Sequence, residues 1–198
     1  MKDMIKMVVV LTLLSCVSGG LLAFVRIGTK DRIEKQELEF VKGPAIREIL
    51  AGASNNPIEN RIKIMDGEVE RSFFVGVFEG KANRIAFESA GKGGYGGDVG
   101  LMVGVNLDDD KFVGLGVTTH SETPGMGAKA QTDPVFAAQF KGLAADKPVS
   151  VSKDGGTINA ISGATITSRA VCSGASDAIA VYGRLKTQLI EKSKAFEK

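Results

Sequence analysis

Tryptophan is absent from this 198-residue chain, histidine occurs once, and there are two cysteines, two tyrosines and five prolines. Without Trp, and without a basic stripe interleaved with aromatics, the chain lacks the footprint of a nucleic-acid-binding protein. Its bases and acids are mixed, for a formal net charge of +2. The two cysteines, Cys16 and Cys172, form no C-x-x-C and no Cys/His cluster. That argues against a zinc or iron–sulfur site supplied by this chain alone, and no metal ligand set is expected. Cys16 lies in an apolar run and Cys172 near the far end, so a disulfide is not expected and the redox compartment is not legible from them. With His120 as the single histidine and no G-x-S-x-G elbow, a serine-hydrolase arrangement has no support. The glycine-rich GKGGYGG at 91–97 lacks the G-x-G-x-x-G spacing and precedes a strand pattern rather than a helix, which excludes a dinucleotide-binding fingerprint.

What the chain does have is an uncharged run, MVVVLTLLSCVSGGLLAFV, at 7–25. As a helix it spans about 28 Å at ~1.5 Å per residue, close to the hydrocarbon thickness of a bilayer. A cleaved signal peptide is the first alternative, but no small-x-small site closes the run before Arg26. A lipoprotein cleaved before Cys16 is the second, but the apolar run continues past Cys16. One membrane-spanning helix within 1–29, in contact with lipid, is therefore expected. Lys2 and Lys6 precede it; Arg26, Lys30, Arg32 and Lys35 follow, so a bare charge count would leave the rest of the chain in the cytoplasm. Residues 30–60 read as a charged helical stalk, interrupted near Gly43-Pro44, and then a loop, GASNNPIEN.

From 61 to 198 the pattern is that of a separate domain. RSFFVGVFEGKANRIAFESAG predicts two strands around a turn at 80–83, and DVGLMVGVNLDDDKFVGLGVTTH predicts two more around Asp108–Asp110. A short helix is expected over 133–142, with Pro134 in its first turn, and a short strand over 147–153. A long closing helix is expected over 167–194, with Ala170, Ala175, Ala178, Ile179, Val181 and Leu185 on its apolar face. Hairpins followed by segregated helices make this an α+β fold, mainly antiparallel sheet with a long C-terminal helix.

Two clusters carry chemistry. At 159–168, NAISGATITS places hydroxyls and a glycine at a loop-to-helix junction. Free N–H groups and the positive end of the helix dipole make such a junction an anion site. The plainer reading is that Thr165 or Thr167 caps the helix. At 120–127, HSETPGMG follows a strand and turns tightly at Thr123-Pro124-Gly125, laying a rigid backbone face and Met126 toward a flat ligand. The plainer reading there is a hairpin exit.

SGAT at 162–165, HSETPGMG at 120–127 and GYGG at 94–97, in this arrangement behind one apolar helix, resemble the RnfG family, the membrane-anchored FMN-binding subunits of Rnf electron-transport complexes. The chain is similar also to NqrC of the sodium-pumping quinone reductase; its length fits RnfG better. The resemblance implies FMN joined by a phosphoester bond to Thr165, put there by a separate flavin transferase with FAD as donor. Ser162, Gly163 and Ala164 would shape the phosphate pocket, and Glu122, Thr123, Gly125 and Met126 would lie near the isoalloxazine ring. It implies an electron-carrying subunit among the other subunits of a membrane redox complex, one that moves electrons between ferredoxin and NAD coupled to Na⁺ or H⁺ transport. No side chain would act as acid, base or nucleophile during turnover, and no complete reaction would belong to this chain alone. The domain would lie on the extracytoplasmic side of the inner membrane, against the charge count, because long domains translocate largely regardless of flanking charge. One position departs from the family motif: Asn159 stands where an Asp is usual, keeping size and hydrogen-bonding reach but losing the charge. The rival reading is a membrane-tethered, non-redox domain that binds a phosphorylated ligand or a partner reversibly.

Overall fold

A computed structural model describes residues 2–197, which divide into two compact units, one ending at Phe40 and the other beginning at Val41. The first is built on α1, Lys2–Gln36, none of whose residues is buried. Its uncharged run at 7–25 is apolar all round, which a lipid solvent allows, and α1 lies in the one described helical stretch long and apolar enough to cross a membrane. A π-helical turn, Glu37–Lys42, comes before α2, Gly43–Ile49. Pro44 lies in the first turn of α2. It has no N–H to donate and its ring crowds the turn before it, so the regular α-helical pattern breaks near the expected point.

The second unit is an antiparallel meander with its strands side by side in chain order. They are β1 (Arg61–Asp66), β2 (Val69–Phe78), β3 (Lys81–Gly94), β4 (Gly97–Asn106) and β5 (Lys111–Thr119). The two expected hairpins are β2–β3 and β4–β5. In the first, Phe78 pairs with Lys81 across Glu79 and Gly80, both at positive φ (52° and 81°), the twist a two-residue hairpin loop prefers. β1 was not among the expected strands. Ile62 and Ile64 alternate with charged neighbours, and Asp66-Gly67 turns the chain straight into β2.

Alternation sorts the sheet into two faces. Phe73, Val75, Ile85, Phe87, Leu101 and Val103 face α5, Thr165–Ser193, and form the main core with its Ala170, Ala175, Ala178, Val181 and Leu185. The other face is shallow because glycines line it. A Cβ at Gly104 would lie 2.2 Å from Ile49 Cγ2, and one at Gly114 3.3 Å from Ile49 Cγ1. Into that trough α2 sets the buried Ile46 and Ile49. The helix expected at 133–142 is the shorter α4 (Pro134–Ala138), capped by Asp133 accepting from Val135 N at 2.9 Å, and a further short helix, α3 (Lys129–Thr132), precedes it. The strand expected at 147–153 does not form. Val151 makes one parallel bridge to Ile158, and Ser152–Asp154 is a 3₁₀ turn. Pro148 offers no donor, and Val149 N is taken by Ser176 Oγ of α5 at 2.9 Å, so no partner strand is left to pair.

Candidate functional site

The start of α5 is the centre of the site. Gly163 takes φ of 78°, a left-handed turn that a side chain would strain, and Ala164 N closes it by donating to Ile161 O at 3.0 Å. Ala164 then occupies the cap position, where its methyl can accept nothing. Neither threonine caps the helix: Thr165 is its first residue and Thr167 its third. Ser168, buried one turn in, pins the loop instead: its Oγ accepts from Ile161 N and donates to Ala164 O, both at 3.0 Å. The loop is fixed, while Ala164 gives the first turn no side-chain cap, and among the described residues no side chain accepts from its N–H groups.

Three segments converge beside that end. Glu122 is 5 % exposed and is where they join. Its Oε1 accepts from Gly96 N at 2.9 Å, and its Oε2 accepts from the Thr167 hydroxyl. A carboxylate this buried is tolerated because donors surround it. Glycines make room for it: a Cβ at Gly127 would fall 2.6 Å from Oε2, and one at Gly94 2.6 Å from Oε1. His120 serves the backbone here. Its Nδ1 accepts from Glu122 N at 3.2 Å, so its Nε2–H faces Gln131 Oε1, also at 3.2 Å. At the turn, Met126 N and Ala128 N both donate to Thr123 O at 3.2 Å, with Gly125 at φ 75°.

These segments enclose a cleft of about 680 Å³. Of the residues singled out from sequence, Thr165, Gly163, Ala164, Glu122, Thr123 and Met126 line it. Gly125 shapes the turn behind it. Ser162 points to a neighbouring groove shared with Asn159 and Gln139. There the Gln139 amide holds the Asn159 backbone from both sides, accepting from its N at 2.7 Å and donating to its O at 3.2 Å. Thr167, weighed above as a cap, also lines the cleft, and Tyr95, Lys153, Ile166 and Gly127, to which no role was given, complete it. Tyr95 sits within GYGG, so its signal was present; Lys153 lies in a stretch read as a strand, which hid it. Tyr95 (74 % exposed), Met126 (49 %) and Ile166 give the cleft an apolar rim, and its charged lining residues are Glu122 and Lys153. Such a site suits a ligand with a flat apolar body and an anionic tail. Among the described residues, no group of three or more His, Cys, Asp or Glu is placed to hold a metal ion.

The comparisons with known proteins bear on the same residues. The FMN-binding domain family matches residues 94–180, which include Tyr95, Glu122, Lys153 and the first turn of α5. The G component of the ion-translocating oxidoreductase complex of Pseudomonas aeruginosa is 30 % identical, over 98 % of this chain and 95 % of that protein. The chain belongs to the RnfG family. Another member, the corresponding component of the complex of Methanosarcina acetivorans, is 34 % identical over 86 % of this chain and 89 % of its own length. Among solved structures, the C component of the Na⁺-translocating NADH-quinone reductase of Parabacteroides distasonis matches with a TM-score of 0.51 and 28 % identity, over 60 % of this chain and 63 % of that one. NqrC of Shewanella oneidensis matches with a TM-score of 0.52 at 24 % identity, over 69 % and 71 %, a likeness of fold. Family membership, the FMN-binding domain and the apolar α1 agree with the RnfG resemblance drawn from SGAT, HSETPGMG and GYGG.

Proposed function

We propose that this chain is the membrane-anchored electron carrier of an Rnf-type complex, with FMN joined through its phosphate to Thr165 Oγ1. The observation that carries the reading is the start of α5. Its first-turn N–H groups meet no side-chain cap, and half-buried Thr165 opens from that turn onto the cleft. The cleft's volume lies within the ~300–1,000 Å³ of ordinary small-molecule sites. Bound FMN supplies one- or two-electron transfer. The chain's own residues would bind and orient it: the α5 terminus would hold the phosphate, Met126 and Ile166 would border the ring, and Glu122 ties together the loops of the cleft. No acid or base is needed during turnover.

Attachment is the work of a separate flavin transferase acting on FAD. The threonyl oxygen bonds to the FMN phosphorus, the pyrophosphate bond breaks, AMP leaves, and the hydroxyl proton passes to the transferase. This explains why the junction holds a hydroxyl and an anion site but no base. The neighbouring groove, with Asn159 where the family motif has Asp, sits on the same loop. In the complex the carrier takes electrons from one redox centre and gives them to another, between ferredoxin and NAD, coupled to Na⁺ or H⁺ movement. The domain lies on the extracytoplasmic side of the inner membrane. Protease digestion of vesicles from the cytoplasmic side alone would overturn that orientation.

The test is flavin fluorescence in a denaturing gel, comparing wild type with Thr165→Val, each produced with and without the transferase. A fluorescent band is expected only for wild type with transferase. No band from a folded wild-type chain with active transferase would overturn covalent attachment and favour a reversibly bound phosphorylated ligand.

A further inference from the structure

The end of a helix carries only about half a positive charge, and the cleft's buried carboxylate, Glu122, opposes an anion. A phosphate held here calls for a further cation, and Lys153 is the cationic side chain among the described residues lining the cleft. It arrives on a tight turn. Asp154 N donates to Val151 O at 2.9 Å and Gly156 N to the same oxygen at 3.0 Å, while a Cβ at Gly156 would fall 2.0 Å from Ser150 O. The neighbouring Asp154 would by itself compete for Lys153 and repel a phosphate. Both of its carboxylate oxygens are instead engaged by Arg169, one turn into α5 from Thr165, through Nε–Oδ2 at 2.7 Å and Nη2–Oδ1 at 2.8 Å, although the Lys153 charge still acts on it. That fork locks the turn to the same helix whose first residue is Thr165. The Arg169 guanidinium also holds the Asp154 carboxyl below its usual range, so the pair is intact at neutral pH.

We propose that Lys153 is the phosphate-recognising cation of this cleft, and that the Arg169–Asp154 pair positions it. The proposal rests on the reading of the cleft as the flavin site and adds the side chain that strengthens its preference for a phosphate: FMN should be distinguished through Lys153 from riboflavin, which has the ring but no phosphate. Lys153 touches the ligand; Arg169 and Asp154 act through it.

The experiment uses the full chain in detergent, produced without the transferase so that Thr165 is free, and titrates it with FMN and with riboflavin. Lys153→Gln should weaken FMN binding about tenfold, the scale of one partly exposed charge-assisted contact, and leave riboflavin binding unchanged. Lys153→Arg should restore FMN binding. Arg169→Gln, which frees Asp154 beside Lys153, should weaken FMN selectively and by less. A second measurement, covalent flavin per chain after production with the transferase, should fall for Lys153→Gln. Equal FMN affinity and equal flavin content in wild type and Lys153→Gln would overturn the proposal while leaving the cleft reading intact. Parallel losses for FMN and riboflavin would overturn it too, since they would mark a structural role. A wild-type chain that neither binds FMN nor acquires covalent flavin would overturn the cleft reading first, and this proposal with it.

Discussion

Through its second half α5 is bolted to the sheet by side chains that find partners within the chain. Tyr182 donates to Asp110 Oδ1, Lys186 reaches Asp110 Oδ2 at 2.7 Å, and Arg184 forks onto Asp66, which Arg71 of β2 also holds at 2.9 Å. Its first turn is the reverse. The residue at the cap is an alanine, Thr167 turns away to Glu122, and the N–H groups face a cleft. One helix thus has a satisfied end and an unsatisfied one. The contrast separates what the fold needs from what a ligand needs, because a polar group without a partner inside the chain is available to something outside it.

Between these ends α5 crosses β3 with almost no space, and this is where the comparison breaks most severely. A Cβ at Gly174 would lie 2.4 Å from Leu101 Cδ1 and 2.7 Å from Gly91 N. Gly174→Leu should therefore lift the helix off the sheet and destabilise the domain by about 3 kcal/mol, roughly 10 °C in Tm. Both ends would loosen together. Gly183, on the exposed flank of the satisfied half, has nothing within 4 Å of its would-be Cβ. Gly183→Ala should stabilise by about 0.5–1 kcal/mol through helix propensity alone. Thermal unfolding of the two variants checks this; a tolerated Gly174→Leu would mean that the crossing does not couple the ends.

The satisfied end is also where the sequence was least legible. Paired apolar alternation revealed β2 to β5 and the run of small apolar residues revealed α5, since those patterns are local. The β1 strand, with only two buried residues, needs Asp66 to reach Arg184, 118 positions away, and no spacing announces that. The same holds for Tyr182 and Asp110, 72 apart. The unsatisfied end was easier to read because its signal is compositional: Ser162-Gly163-Ala164-Thr165 advertises a loop-to-helix junction, although the threonine cap it also suggested does not form. Its charge was missed, since Lys153 lies in a stretch read as strand. Pro148 and the Ser176 hydroxyl prevent that strand from forming.

A milder way to sharpen the comparison is to titrate the satisfied end. The Arg184 guanidinium, with Arg71 beside it, holds the Asp66 carboxyl below its ordinary value of 3.8. Its folded-state pKa being depressed, the stabilisation is fully present above that ordinary value and is lost as the pH falls through the lower folded value. Asp66→Asn should therefore lower Tm at pH 7 by a margin that shrinks toward zero in strong acid. FMN affinity at neutral pH should be untouched, because Asp66 is not among the residues that line the cleft. A margin that stays constant with pH would mean the carboxylate's charge is not what secures this end.

The smallest expected effect is the most discriminating, because it should have opposite signs on stability and on binding. Ala164→Ser supplies a hydroxyl at the cap position, where the first-turn N–H groups have no side-chain acceptor. Ala164 has φ −130° and ψ 43°, which is not the usual extended cap geometry, so the gain belongs at the low end of the range for a new cap, about 0.5 kcal/mol. The same hydroxyl would occupy a donor that a phosphate needs. Apo protein should melt slightly higher while its affinity for FMN falls. If stability rises and FMN affinity does not change, the free N–H groups are not the phosphate site and the cleft's selectivity must come from Lys153 alone. If stability falls and binding is unaffected, the end is not waiting for an acceptor. A rise in one with a fall in the other would make the missing cap a feature retained for the ligand: the helix forgoes a small stabilisation where the cofactor's phosphate supplies it.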